Sequence, residues 1–517
     1  MFDRKLRKGP VAIMFAAAVT SAFTSARADV VTEWNETYND VTRTTGGAPC
    51  PISRAGPMFN LAMFDAINAI DRANGAPGYE SYQPTLPPVA PGTSREAAGI
   101  AAAYAVMSSL HSTSPAAMAL INARYAAQYA AIPDSAAKAA GIAFGQAVAN
   151  GILALRANDG YDADSSYTVG THAGDWLITP DGPFVQPFTP QWGNVVPWGL
   201  PDGHMFRPTR LTDMGTMADV MHSVAYAEQI NGSASVPGVK SVGERHSVMR
   251  TEDQTEAAWF WANDRDGTSK PPGQLIQITL LLSQQHNLSL SENAHLFGIL
   301  SLGLGDACIA AWDAKYNTDI DLWRPISAIR ETLDDENPLT TPDPTWLPLN
   351  DFTPPFPAYV SGHATFGAVH AAIMRRYFGT DNMTFTIGSD EFGIHTSLGY
   401  PANLTRTFHT FSDAAWENAM SRVWLGVHYV WDAVDGNTLG TRVGNYDYSH
   451  YLRPLGSCNP DVNEDGNVDA GDIDYLINVI AGGTNELELD ADFNHDGNLD
   501  QGDVDAIVNA VSGGGCP

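Results

Sequence analysis

Apolar residues recur at helical spacing over residues 57–78 (PMFNLAMFDAINAIDRANGAPG), and the spacing predicts a helix there. From Ser94 to Ala157 the chain is Ala-rich, with breaks at Ser114-Pro115 and Pro133-Asp134. That pattern predicts three helices of about 15 to 20 residues, whose small side chains let them pack closely as scaffold. Over residues 160–213 the periodicity vanishes, and Gly, Pro, Trp and Asp punctuate the text. So long a loop in a compact domain is usually functional or covers a site, and it is expected to wrap over the helical core. Helical patterns resume at 213–232, 252–263, 273–286 and 291–313. A further one runs from Ala364 to Phe378 and is closed by Gly379, a residue suited to a helix C-cap. Residues 380–409 read as a polar connection, and Asp413 to Asp435 as one helix. Strand patterning is slight. The expected fold class is all-α: a large helical bundle with long loops, plus a small helical unit at the C-terminus.

Composition adds export and a second unit. Residues 1–28 have a basic start (Arg4, Lys5, Arg7, Lys8), an apolar stretch from Val11 to Phe23 and an Ala26-Arg27-Ala28 site. This predicts a secretory signal peptide cut after Ala28, and a protein that is secreted, periplasmic or on the cell surface. No later stretch reaches the ~18 uninterrupted apolar residues of a membrane span. The formal charge of −30 excludes a general nucleic-acid binder, since phosphate backbones need Lys and Arg. Much of that charge is local, because no Lys or Arg follows Arg453 while Asp and Glu crowd the tail. The expected division is a domain over 29–455 and an acidic module over 458–517.

That module has its own logic. Asp461, Asn463, Asp465, Gly466, Asn467, Asp469 and Asp472 fill positions 1, 3, 5, 6, 7, 9 and 12 of an EF-hand-like calcium loop, followed by the apolar helix residues Ile473, Leu476, Ile477 and Ile480. Thirty-one residues later Asp492, Asn494, Asp496, Gly497, Asn498, Asp500 and Asp503 repeat the pattern, ahead of Val504, Ile507 and Val508. A merely solvated acidic tail would not place Gly twice at position 6. Two Ca2+ sites are expected, with folding of the module dependent on the metal. The last ligand is Asp, not the Glu of an EF-hand, and in this the pair resembles the duplicated calcium module of dockerins. The resemblance implies a cohesin-like partner. The positions often used for partner choice are here Ala470-Gly471 and Gln501-Gly502, unlike the common Ser-Thr type, and a surface-tethering role is equally open.

Candidate chemistry gathers in three blocks. In SRVWLGVHYVWD, a helical reading puts His428 and Asp432 one turn apart, so that the carboxylate fixes the His tautomer. Arg422 adds a permanent charge with forked donors. By itself such a pair means little, because buried His-Asp pairs are common structural features. Upstream, FPAYVSGH places Ser361, Gly362 and His363 at a helix start, where free N–H groups and the helix dipole suit an anion. Further upstream stand Lys315 and, before Pro325, Arg324. Together these form a cage for a tetrahedral oxyanion, with one His placed to bond its central atom and another to move protons.

These blocks resemble the vanadium-dependent haloperoxidases and the PAP2-type acid phosphatases that share their fold. Their pattern is Lys-x6-Arg-Pro, Pro-Ser-Gly-His, then Ser-Arg-x3-Gly-x-His-x3-Asp. The third block matches at Ser421, Arg422, Gly426, His428 and Asp432. In the second, Val360 replaces the Pro. In the first, eight residues rather than six separate Lys315 from Arg324. The resemblance implies His428 as the axial ligand to vanadate, or as the phosphoryl acceptor of a phosphatase. It implies Lys315, Arg324, Ser361, the Gly362 N–H and Arg422 as oxyanion binders, with Lys315 also polarising bound peroxide. His363 would be the acid–base group and Asp432 the orienting residue. Trp312 and Phe356 match aromatic residues near the halide in chloride-oxidising fungal members, and the alternative for both is a core role. His395 and His409 are loop histidines that a pocket could recruit.

The function these readings favour is oxidation of halide by hydrogen peroxide to hypohalous acid. The alternatives are a phosphatase with a phospho-His428 intermediate, and a calcium-dependent adhesion or scaffold protein with a degenerate site. Four cysteines allow three full pairings. Cys458 with Cys516 would clamp the calcium module, and Cys50 with Cys308 would be the second pair unless Cys308 is a buried thiol.

Overall fold

The computed structural model describes residues 29–515, apart from 457, 466 and 495. The expected signal peptide, Gly466 and Cys516 therefore lie outside the described residues.

The all-α bundle is borne out. Helices Val30–Thr45 and Pro49–Ala73 open it. The second begins before the 57–78 pattern because Pro57, which reads as a start, is carried inside the helix. The three Ala-rich helices are Arg95–Leu110, Pro115–Ala131 and Ala136–Leu155. Each starts where a serine (Ser94, Ser114, Ser135) accepts from a backbone N–H three residues on. Residues 160–213 form the expected wrap, with only the short 3₁₀ turn Pro190–Asn194 and the one-turn helix Arg210–Asp213. The 213–232 pattern is broken at Gly215 and Ser223 into Arg210–Asp213, Met217–Met221 and Val224–Asn231.

The axis of the bundle is Leu290–Tyr316, which starts at a Ser289–Glu292 capping box and buries every residue from Asn293 to Lys315. It is long and apolar enough to cross a membrane, but its apolar stretch is wholly enclosed by protein. Ala136–Leu155 also passes that test of length and composition, and it lies along Arg95–Leu110. Around the axis pack Pro49–Ala73, Gly362–Phe378 and Val430–His450.

Two local expectations are corrected. Residues 380–409 hold an antiparallel hairpin, Asn382–Gly388 with Thr405–Thr410, that buries Phe385 and Phe408 on one face. Its outward threonines made the alternation read as merely polar. The reading of 413–435 as one helix also fails. Phe411–Trp424 ends, Gly426 turns with φ of 84°, and Val430–His450 begins afresh.

The acidic module folds around Val462, Leu476, Phe493 and Ile507, with helices Ala470–Ile480 and Gln501–Val511. It sits against the bundle through Arg376–Glu464, Arg442–Glu488 and Arg453–Asp490, each at 2.7 Å. The chain leading to it is stitched to residues 78–80: Glu80 N–H donates to the Arg453 carbonyl and Leu455 N–H to the Gly78 carbonyl, each at 2.8 Å. Cys458 is disulfide-bonded, whereas Cys50 and Cys308 are free buried thiols.

Candidate active site

The site lies where helix ends meet. Gly436, Gly440 and Gly444 form a stripe along Val430–His450 that lets it lie against Gly362–Phe378: a Cβ on Gly444 would come within 2.9 Å of Ala372 Cβ. The helix starts are therefore brought side by side, and Ser361 N–H donates to the Asp432 carbonyl at 3.0 Å.

His428 stands in the turn between the two C-terminal helices, not on a helix face. It still reaches Asp432, whose Oδ2 lies 2.8 Å from His428 Nδ1 and accepts the Tyr429 N–H at 3.1 Å. A carboxylate there puts the proton on Nδ1 and leaves Nε2 as the basic atom. Arg324 Nη1 approaches that Nε2 at 3.0 Å. Burial, then Arg324, Lys315 and Arg422, hold His428 well below the ordinary histidine range, so the ring is neutral.

Arg324 is anchored by the Phe356 and Val427 carbonyls, each at 2.7 Å, and its Nη2 is buried without a partner. Arg422 donates through Nη2 to Asp264 at 2.6 Å, while its Nε and Nη1 are buried and unpartnered. Buried donors are normally satisfied, so three unpartnered guanidinium N–H groups in one place point to a ligand.

Lys315 joins them despite its altered spacing. The helix carrying it ends at Tyr316, and the two extra residues lie in the loop before Trp323 and Arg324, outside the helix. Its Nζ meets the carbonyls of Pro357 (2.7 Å), Ala358 (3.1 Å) and Val360. Burial and Arg324 press its pKa down. Three acceptors around one nitrogen nevertheless match the three N–H donors of an ammonium.

Ser361 caps the next helix, accepting the Ala364 N–H at 3.3 Å, and leaves the Gly362 and His363 amides at the open helix start. His363 Nε2 contacts the Ala262 carbonyl at 3.1 Å, which makes Nδ1 its basic atom. Burial and then Arg422 push its pKa down to about 3.

Trp312 and Phe356 pack ring on ring at 4.9 Å. Lys315 Nζ lies 5.8 Å from the first ring and 5.0 Å from the second, and Trp312 touches the space above Gly362. Both aromatics are thus at the site and in the core at once. A cavity of about 840 Å³ reaches the site at Asp264 and Phe356, and the 160–213 wrap lines it with Phe184 and Phe188.

Sequence reasoning missed Asp264. It follows the Glu252–Phe260 helix in a short turn, with no motif around it, and only the fold brings it to Arg422. It also missed Glu391, a buried carboxyl 2.9 Å from Arg265, which burial raises to about 7. His395 lies at 3.4 Å from both Asp351 and Glu391, apart from the cage. His409 is exposed on the hairpin, 3.2 Å from Thr384. Neither joins the site.

In the acidic module the candidate ligands converge. Asp461 Oδ1 accepts the Asp465 N–H at 3.1 Å, and the buried Asp472 accepts from Asn463 (3.2 Å) and Asp469 (2.9 Å). The second loop repeats this with Asp492, Asp496, Asn494, Asp500 and Asp503, within 3.1 Å throughout. Asn467 and Asn498 hold the matching places after Asp465 and Asp496. Backbone amides thus hold the acidic side chains of each loop in the same arrangement.

Residues 295–456 match the VCPO second helical-bundle domain, and residues 459–512 the dockerin type I domain. A vanadium chloroperoxidase of Curvularia inaequalis is 31% identical over 266 residues, which cover 42% of this chain and 42% of that relative. The alignment thus spans less than half of the curated relative. Among solved structures, a bacterial vanadium-dependent iodoperoxidase superposes with a TM-score of 0.66 at 21% identity, covering 82% of this chain and 96% of that one. A bacterial vanadium-dependent chloroperoxidase in its holo form gives 0.58 at 17% identity, covering 83% and 98%. The chain therefore contains a vanadium haloperoxidase-type domain, built on an all-α bundle, and a dockerin type I domain behind it.

Proposed function

We propose that the protein is a vanadate-dependent haloperoxidase that oxidises halide with hydrogen peroxide. The observation that carries this reading is the set of unpartnered buried donors, Arg324 Nη2 with Arg422 Nε and Nη1, grouped around a neutral His428. Charge agrees with it. Lys315, Arg324 and Arg422 gather beside Asp264 and Asp432, the latter raised by burial to about 7, and an oxyanion adds negative charge to this cationic cluster. Arg324, Arg422, Ser361 and the Gly362 amide would hold vanadate, with His428 Nε2 as its protein ligand and Lys315, its N–H groups taken up by backbone carbonyls, as a fixed positive charge beside them. When bound, vanadate supplies a Lewis-acidic centre that activates peroxide without changing its own oxidation state.

Halide, hydrogen peroxide and one proton give hypohalous acid and water. His363, open at Nδ1, would receive and return protons once a bound oxyanion offsets the Arg422 charge that helps hold its pKa down. Asp432 keeps the His428 ring oriented, and the Lys315 ammonium would act on bound peroxide through its charge, since its three N–H groups are held by backbone carbonyls. Trp312 and Phe356 present electropositive ring edges for the halide. The dockerin domain, loaded with two calcium ions, would attach the exported enzyme to a cohesin-type partner.

Phosphate has the shape and charge of vanadate, so one assay must separate the two chemistries. Bromide and iodide oxidation is measured on metal-free protein with and without orthovanadate, beside hydrolysis of a phosphate ester. Halide oxidation that needs vanadate and is lost in His428→Ala establishes the peroxidase. Ester hydrolysis that vanadate inhibits, with no halide oxidation, means a phosphatase instead.

A further inference from the structure

Cys50 and Cys308 take no part in the chemistry above, yet they meet in the interior. Cys50 is in the first turn of Pro49–Ala73 and Cys308 in the C-terminal half of Leu290–Tyr316; both are fully buried. Their sulfurs lie 2.9 Å apart as free thiols. That is within about 1 Å of the ~2.05 Å disulfide bond, so a small side-chain rotation would close it. The two helices are independently held together. Asn60 Nδ2 donates to Ser301 Oγ at 2.8 Å, and Gly298 lets Phe64 approach, so the approach of the sulfurs does not depend on the thiols themselves.

We propose that Cys50 and Cys308 form a structural disulfide, made by thiol–disulfide exchange while the chain folds. One thiolate attacks an external disulfide such as oxidised glutathione, and the second then displaces the remaining glutathione. The two cysteines lose two electrons and two protons, and one glutathione disulfide becomes two thiols. Exchange belongs to folding and not to the finished molecule. Solvent does not reach either sulfur, and burial pushes the Cys50 thiol up, so the reactive thiolate is scarce once the helices have closed.

The bond joins residues 258 positions apart, a span at which cross-linking restricts the unfolded chain strongly. It ties the N-terminal layer to the axial helix. Lys315 lies on the same face of the helix, two turns beyond Cys308. Locking the sulfurs together fixes the stretch of helix from which that ammonium reaches the site.

The test uses the full chain, refolded with a glutathione redox buffer or with dithiothreitol. Non-reducing peptide mapping of the first sample is expected to show a peptide pair joining Cys50 to Cys308, absent from the second. The thermal midpoint of the oxidised protein should be about 5 °C higher. Because Cys458 is also disulfide-bonded, that shift is compared with the shift in Cys50→Ser, which should be smaller. If Cys50→Ser does not fold, Cys308→Ala serves, and the mapping of unaltered protein needs neither. Alkylation of both Cys50 and Cys308 in unfolded, unreduced protein from the glutathione sample would overturn the proposal. So would a link from either of them to Cys458.

Discussion

Asp264 decides how the empty-handed Arg422 is tolerated. The guanidinium is fully buried, and it pairs directly with this carboxylate, 2.6 Å away. Burial alone would raise the Asp264 pKa, but Arg422 and then His363 and Lys270 bring it below the usual carboxylate value. Asp264→Asn leaves an uncompensated buried cation, and the expected cost is about 3 kcal/mol, read by denaturant unfolding. Orthovanadate should restore part of that loss, because a bound oxyanion takes over the charge. A variant as stable as the parent would show that Arg422 needs no partner. Residues of this kind mark the limit of what a sequence discloses. Lys315, Arg324, Ser361, His363, Arg422, His428 and Asp432 were legible because they sit in spaced motifs, and the fold brings them all together. Asp264 and Glu391 had no such signature, since their roles arise from charge neighbours supplied by distant parts of the chain.

Two helices set side by side make the site at the level of elements. The approach of Gly362–Phe378 to Val430–His450 depends on small residues spaced by four, Gly436, Gly440 and Gly444. A Cβ at Gly440 would run into the Thr365 carbonyl and lie 2.9 Å from Ala368 Cβ. Gly440→Val should therefore destabilise the fold by about 1–3 kcal/mol, seen as a lower thermal midpoint, and weaken vanadate binding through the displaced Asp432. Equal stability and affinity would mean that the interface yields freely. Helix existence was well read from periodicity and Ser caps, but the joint at Gly426 was not. Its apolar flanks, Val423, Leu425, Val427 and Val430, continue a helical pattern straight through the turn. Burial on all sides of the joint gives both conformations the same apolar signature, and the positive φ of Gly426 decides between them.

For the molecule as a whole, the calcium loops and the bundle share a boundary. Concentrated carboxylates repel one another without metal, so chelation by EGTA should melt the module and reduce helicity in calorimetry and circular dichroism. The bundle's own transition should fall by only about 1–3 °C, because Arg376, Arg442 and Arg453 lose partners at half-open ion pairs. A module that keeps its helices in EGTA would contradict the calcium reading. The boundary has a mechanical side as well. The chain running into the tail is zipped to residues 78–80, and Arg376, in the last turn of Gly362–Phe378, and Arg442, midway along Val430–His450, grip the tail from the two helices whose near ends hold the oxyanion site. The tail is thus a rigid mount and not a slack cable. A pull on it has to shear that zipper and those ion pairs before any length pays out, and until they fail the tension runs along the helices into the pocket.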